Sequence, residues 1–562
     1  MANPEKAFIQ KIEDRLRFIY QQNYKNDVLQ ALLKLIEAYP KQKPAREKWS
    51  EKDVVLITYG DSIKNQHEVP LQTLRSFLNH NLKVQLSVVH ILPFFPYSSD
   101  DGFSVIDFRE VNPELGTWKD VAGLTNDFDL MADLVINHAS SKSEWFQQFL
   151  QQEGKAKDYF ICEDPATDLS QVTRPRSTPL LTPYETKAGT KYVWTTFSAD
   201  QIDLNFSNPK LLVEMMDILL GYIDRGARII RLDAIAFLWK KTGTTCLHLP
   251  ETHEVVKLMR DVAEYINPAT VILTETNVPN KENLSYFGDN DEAHMVYQFS
   301  LPPLLLHALH TGNSAYLNTW AKSLPQLEND KTFFNFTASH DGIGVRPLEG
   351  LLPEDEKNAL AENMQKFGGK VNYKSNPDGS TSPYELNITY FDALKGTAAG
   401  EDQFQVERFL ASQTVMMSFA GVPAFYIHSL TATPNYQEGV KETGQNRTIN
   451  RRKWDLQELN EILNGTTPQK EVFLSLKKLI SIRKEQQAFH PNAKQEILDL
   501  GKSMIGIVRK SENQTIVIIA NLTDKTNSFQ LPKNIDFGFD LISGVQMVSK
   551  MLKPYQCVWL VK

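Results

Sequence analysis

Several short apolar runs in this chain end in groups able to do acid–base or nucleophilic chemistry. Ile229-Ile230-Arg231-Leu232 leads into Asp233, Val271–Thr274 into Glu275, and Thr332–Ala338 into Ser339-His340-Asp341. Asn137 and His138 close an earlier run, and another leads to Asp100-Asp101-Gly102-Phe103. A lone Asp after a strand is ordinarily a helix cap or turn residue, so no single one defines a site. Three carboxylates, two histidines and an arginine at the ends of such runs converge on one cleft if the runs close into a barrel. The chemistry that suits them is glycosyl transfer. Breaking an acetal takes one carboxylic acid to protonate the leaving oxygen and one carboxylate to receive the oxocarbenium-like carbon. With the two carboxyl groups ~5–5.5 Å apart the second attacks directly and configuration is retained. A third carboxylate can bind sugar hydroxyls and stabilise developing positive charge. Arg231 lies two residues before Asp233, on the same side of a strand, where it keeps that Asp ionised.

The elements that must position these groups are legible as near-continuous apolar runs, the signature of strands buried on both faces. They are Val54–Tyr59, Val84–Leu92, Leu130–Asn137, Ala227–Leu232, Val271–Thr274, Met295–Leu301, Thr332–Ala338 and Val422–His428. Helix-sized segments separate them, so the expected fold is α/β, a (β/α)8 TIM barrel. Two stretches are too long for ordinary barrel loops, an insertion over 140–206 after the third strand and one over 342–394 after the seventh. Long excursions there are where specificity is built. The expected domains are a helical segment over 1–50, closed by Pro40 and Pro44, the barrel over 51–493, and an antiparallel β domain over 494–562. Leu29, Leu32, Leu33 and Ile36 give the first segment its helical period.

Composition narrows the class. The 562 residues are 41% hydrophobic and 23% charged, the balance of a globular protein rather than of a disordered chain or a fibre. Sixty Lys and Arg against 68 Asp and Glu give a net charge of −8, which lacks the basic footprint of a nucleic-acid or anionic-membrane binder. The most apolar stretch, Val415 to Ile427, is interrupted by Ser418, Gly421 and Pro423 and is too short to span a bilayer. Three cysteines make no disulfide framework and the first residues carry no signal-peptide core, so a cytoplasmic location is expected. No phosphate-binding glycine motif appears. His248 and His253, with Cys246 and Glu251 between and beside them, have the wrong spacing for one helical face and read as structural.

The blocks resemble the signature regions of the α-amylase superfamily of retaining glycosidases and transglycosidases, and more narrowly its sucrose-phosphorylase subfamily. The matching stretches are Leu92–Pro96, Asp101-Gly102-Phe103, Arg174-Pro175-Arg176, Arg231–Ala234, Leu301–Leu309 and His340–Gly344. The resemblance implies Asp233 as nucleophile, Glu275 as general acid/base and Asp341 as transition-state stabiliser. It implies His138, Arg231, His340 and Asp100 as holders of the glucosyl hydroxyls, and Arg447 as the arginine reaching the same sugar with Asp100. Phe103 and Phe237 are its apolar walls, or else plain core. Arg176 and Tyr384 match phosphate contacts, and a guanidinium fork suits phosphate; read from the residues alone, Arg174 and Arg176 tie the insertion to the barrel by ion pairs. The subfamily implies inorganic phosphate as co-substrate, no cofactor and no metal, although some amylases hold calcium through the residue that is Asn137 here. A monomer or homodimer is expected.

The acceptor side departs from the sucrose enzymes, with Ser382-Pro383-Tyr384-Glu385-Leu386-Asn387 and Thr276-Asn277-Val278-Pro279 in place of their segments. These stretches, with Thr173–Pro183, Asp291–Gln298 and Asn376–Ser380, resemble the glucosylglycerate phosphorylase branch. The reaction implied is reversible phosphorolysis of 2-O-α-D-glucosylglycerate to α-D-glucose 1-phosphate and D-glycerate. Glu385 and Asn387 line the acceptor side, and Arg176, Lys374 and Asn387 are candidates for the glycerate carboxylate. A carboxylate at 385 facing glycerate requires a bridging cation or a hydroxyl contact. The alternatives are a glucosylglycerol, sucrose or sucrose 6'-phosphate phosphorylase; a hydrolase or transglucosidase; and a non-catalytic barrel, which would be expected to lack the carboxylates.

Overall fold

In the computed structural model, eight short strands run parallel and hydrogen-bond in chain order, the eighth returning to the first, to close a barrel. They are β1 (Val55–Thr58), β2 (Val88–Ile91), β3 (Asp129–Leu134), β4 (Ala227–Leu232), β5 (Val271–Thr274), β6 (Met295–Tyr297), β7 (Thr332–Asn335) and β8 (Val422–Tyr426). Every strand residue except Asp129 is buried, which is why the runs carry so few polar positions. The structure describes residues 4–43, 46–176, 178–328, 330–375, 380–532 and 538–561. Pro44, Ser177 and the Asn376–Gly379 part of the acceptor-side stretch lie outside them.

The expected strands are too long at several ends. Val84 is 69% exposed, and β2 starts only at Val88. Leu301 opens a helix, Leu301–Thr311, because Pro302 and Pro303 fit its first turn, where no N–H partner is needed. Ile427 and His428 belong to the short helix Ile427–Leu430. The two insertions carry structure that apolar runs do not announce. After β3 come the helix Glu144–Gln151 and an antiparallel hairpin, Leu181–Thr186 with Gly189–Trp194. After β7 come the helix Glu354–Lys366 and the three-stranded sheet of Ile343–Gly344, Thr381–Asn387 and Lys370–Ser375.

The chain forms two compact units. One comprises Met1–Lys48, Ile91–Thr276 and Leu284–Val296. In it the helices α1 (Pro4–Tyr20) and α2 (Asn26–Glu37) bury Leu29, Leu32 and Ile36, with Leu33 partly exposed. Arg15 on α1 ion-pairs Glu254 at 2.8 Å and both Asp261 and Asp291 at 3.1 Å. The other unit comprises Trp49–His90, Asn277–Asn283 and Tyr297–Lys562. Its C-terminal part is a six-stranded antiparallel sheet that includes Lys494–Leu498, Met504–Lys510, Thr515–Asn521 and Cys557–Val561. Leu498, Met504, Val517, Ile519, Val558 and Leu560 pack as its core. Among the described residues no helix is long and apolar enough to cross a membrane.

Candidate active site

Within the first unit, β3 and β4 pair in a register that sets Asp133 beside Arg231. Arg231 is buried, and its Nη1 donates to Asp133 and, at 2.8 Å, to Asp233 Oδ1. Asp233 follows β4 directly and is 7% exposed. Ala234 turns the chain away with φ 49°, and its N–H donates to Glu275 Oε2 at 3.1 Å. Glu275 follows β5, and the same oxygen lies 4.0 Å from Arg231 Nη2. One guanidinium and one amide therefore order both carboxylates. The pairing sets a cation directly beside the Asp233 carboxylate.

Phe103 is buried, with the Arg231 guanidinium 5.7 Å from its ring centroid. His138 is buried, its Nε2–H donating to the Phe103 carbonyl at 2.9 Å, and burial lowers its imidazole below the ordinary value. Asp100 is half-buried and accepts from Gln201 Nε2 at 3.3 Å. Phe237 is half-buried, edge-on to Phe197 at 5.4 Å. Arg176 is half-buried on the long insertion. Arg174 donates to the Thr178 carbonyl. His248 bonds Tyr286 and His253 bonds Glu292, each a structural contact, and among the described residues no His/Cys/Asp/Glu group fit for a metal occurs.

Lys240 was not anticipated. Its ammonium lies 2.7 Å from Asn137 Oδ1 and 2.5 Å from Asp203 Oδ2, and it also donates to the Phe237 carbonyl. The amide that holds calcium in some amylases is thus engaged by the chain's own cation.

In the second unit, Arg447 bridges two carboxylates. Its Nη1 lies 2.7 Å from Asp341 Oδ1 and its Nη2 2.7 Å from Glu385 Oε1. Glu385 is 2% exposed and also accepts from Asn372 at 2.9 Å. The cation that a buried carboxylate at 385 demands is therefore Arg447. The loop holding His340 and Asp341 is fixed through its carbonyls: Arg451 Nε donates to His340 O at 2.8 Å and Asn450 Nδ2 to Asp341 O at 3.0 Å. Tyr59 stands edge-on to His340. Tyr384 sits where the pairing of Thr381–Asn387 with Lys370–Ser375 shifts register, at a β-bulge. Asn387 is fully buried with both amide polar atoms unpartnered, beside Gly342. Lys374 is paired with Glu349 at 3.0 Å.

A parallel barrel carrying Asp, Glu and Asp after its fourth, fifth and seventh strands is the plan of the α-amylase class of glycosyl-transferring enzymes. The alpha amylase catalytic domain matches residues 71–344. Glucosylglycerate phosphorylase of Spirochaeta thermophila is 45% identical over 94% of this chain and 91% of its own. That of Escherichia coli is 45% identical over 98% of this chain and 100% of its own. The crystal structure of sucrose 6F-phosphate phosphorylase from Thermoanaerobacter thermosaccharolyticum superposes with a TM-score of 0.74 at 28% identity, covering 84% of this chain and 94% of that one. The chain belongs to the family of the glucosylglycerate phosphorylases.

Proposed function

We propose that the protein is a retaining phosphorylase of 2-O-α-D-glucosylglycerate, working by double displacement. Glu275 protonates the leaving glycerate oxygen while Asp233 attacks the anomeric carbon, giving a β-glucosyl ester on Asp233. Glu275, now a carboxylate, takes a proton from phosphate, whose oxygen attacks the anomeric carbon; the bond to Asp233 breaks, the Asp233 carboxylate is released and α-D-glucose 1-phosphate leaves. Asp341 stabilises the oxocarbenium-like charge, and His138, His340, Asp100 and Arg231 hold the glucosyl hydroxyls. Arg176 and Tyr384 bind phosphate. The observation that carries the reading is the ordered pair, Asp233 on Arg231 and Glu275 on the Ala234 amide.

For the acceptor, the names of the near-full-length relatives favour glycerate, and the neutralisation of Glu385 by Arg447 removes a repulsion that would oppose it. Arg176, Lys374 and Asn387 are the candidates for its carboxylate, Lys374 being paired with Glu349 in this structure. No resident metal is part of the mechanism, and the location proposed is cytoplasmic.

The test is phosphate release from glucose 1-phosphate with D-glycerate, glycerol, fructose, fructose 6-phosphate or water offered in parallel. Release dependent on glycerate supports the reading. Release with glycerol or fructose keeps the mechanism and moves the specificity, and equal slow release with and without acceptor overturns phosphorolysis.

A further inference from the structure

The segment that carries Asp100 and Phe103 has an unfavourable backbone. Asp100, Asp101 and Gly102 take φ of 53°, 48° and 111° in succession. Only glycine fits at 102, since a Cβ there would stand 2.6 Å from the Pro93 carbonyl oxygen. Non-glycine residues at positive φ persist only where their surroundings hold them. The internal bonds of the segment include Ser98 N–H to Ser104 O at 3.0 Å, Phe103 N–H to Asp100 O at 3.2 Å, Ser104 N–H to Ser99 O at 3.3 Å and the Ser98 hydroxyl to the Ser104 hydroxyl at 3.2 Å.

Beside the His138 bond to the Phe103 carbonyl, Asp200 holds it at both ends. Its Oδ2 accepts from the hydroxyls of Ser98 and Ser99 at 2.5 Å and Ser104 at 2.9 Å, and its Oδ1 from Ser141 at 2.5 Å. The Ser104 hydroxyl also reaches the Asp200 carbonyl at 2.7 Å, and Ser141 N–H donates to that carbonyl at 3.2 Å. One carboxylate thus clamps both ends of the strained segment, 98–99 and 104, and ties them to the stretch after His138. Burial alone would raise its carboxyl, but the hydroxyls of Ser141, Ser98, Ser99 and Ser104 hold it below the ordinary carboxylate value. The next residue, Gln201, donates to Asp100 Oδ2.

We infer that Asp200 is a positioning residue for the glucosyl site: it fixes the backbone of 98–104 and, through it, the Asp100 carboxylate that receives the sugar. The inference rests on the proposed phosphorylase reading for its effect on turnover, but the clamp itself is readable without it. Hydrogen exchange on peptides spanning 98–104 should rise in Asp200→Ala while exchange in the barrel strands stays as in the wild type. With glucose 1-phosphate, Asp200→Ala should lower kcat/KM about tenfold, the loss expected when a hydrogen-bonding group leaves its place. In an Asp100→Ala background the same change should lower it less than about twofold, because the group it positions is gone. Asp200→Asn keeps the shape and one accepting oxygen and should fall between; it stands in if the alanine variant does not fold. Unchanged exchange over 98–104 overturns the clamp, and an equal loss in both backgrounds overturns its action through Asp100. A wild-type protein inert toward glucose 1-phosphate would remove the phosphorylase reading and the inference to the sugar site, leaving exchange to decide the clamp alone.

Discussion

Arg231 Nη1 lies 2.8 Å from Asp233 Oδ1 while the same nitrogen donates to Asp133. The guanidinium has two buried anionic partners, so it does not depend on Asp233 for charge compensation. This separates the chemistry of Asp233 from its role in folding. Leaving a buried charge unpaired destabilises by ~3–5 kcal/mol, and in Asp233→Asn that situation does not arise.

Asp233→Asn should therefore reduce turnover by about 10⁴-fold or more, as loss of a covalent nucleophile does, while the thermal midpoint shifts by only a few degrees. Phosphate release and thermal unfolding on the same preparation check this. A variant with wild-type phosphorolysis would remove Asp233 from the nucleophile's role.

Arg176→Ala separates phosphate from sugar. A hydrogen bond to a charged group contributes about 1.5–3 kcal/mol, so the phosphate KM in phosphorolysis should rise by about ten- to a hundredfold. Formation of the glucosyl ester from the glucoside, followed by single-turnover glycerate release, should weaken less than phosphate use does. Superimposable phosphate saturation curves for the two proteins would return Arg176 to the ordinary population of loop arginines.

The contrast between Arg231 and Arg176 shows where sequence reading reaches its limit. Arg231 and Asp233 were legible because alternation on a strand puts positions two apart on one side, and the structure pairs them. Asp133 was not, because its place beside Arg231 comes from the register between β3 and β4, which no local pattern encodes. The barrel strands stood out because they are buried on both faces and so are apolar throughout. Their ends did not, because apolar residues such as Leu301 and Ile427 continue into buried helices. The hairpin Leu181–Trp194 was invisible for the opposite reason: most of its residues are partly or fully exposed and it carries no apolar run. Asp200, Lys240 and Arg447 gain their partners only through tertiary contacts, so their residue types alone announced nothing about what they hold.

Lys240 leads to an expectation about metals. With its ammonium on both Asn137 Oδ1 and Asp203 Oδ2, a divalent cation at that amide would meet a positive charge in place of a ligand. Prolonged treatment with excess EDTA, followed by desalting, should leave both phosphate release and the thermal midpoint unchanged. Loss of either, restored by added calcium, would show that the ammonium does not serve in the cation's place.

The last expectation concerns acid. Burial pushes the His310 imidazole down to about 4 and that of His428 to about 3. His310 donates through Nε2 to the Ala393 carbonyl, and His428 meets the Thr433 hydroxyl. Both are neutral in the folded protein, whereas in the unfolded chain a histidine takes its proton near pH 6.5. Between the two values the unfolded state binds more protons, so their contribution to stability is complete above about pH 6.5 and declines as the pH falls. It is exhausted near pH 4 for His310 and pH 3 for His428. Each group should contribute a slope of up to about 1.4 kcal/mol per pH unit within its window. Urea unfolding at pH 7, 6, 5 and 4 measures the slope, and His428→Asn should remove one group's share whatever it does to stability at pH 7. An identical slope in the variant would mean that His428 is protonated in the folded protein, against its burial beside Lys453 and Arg452.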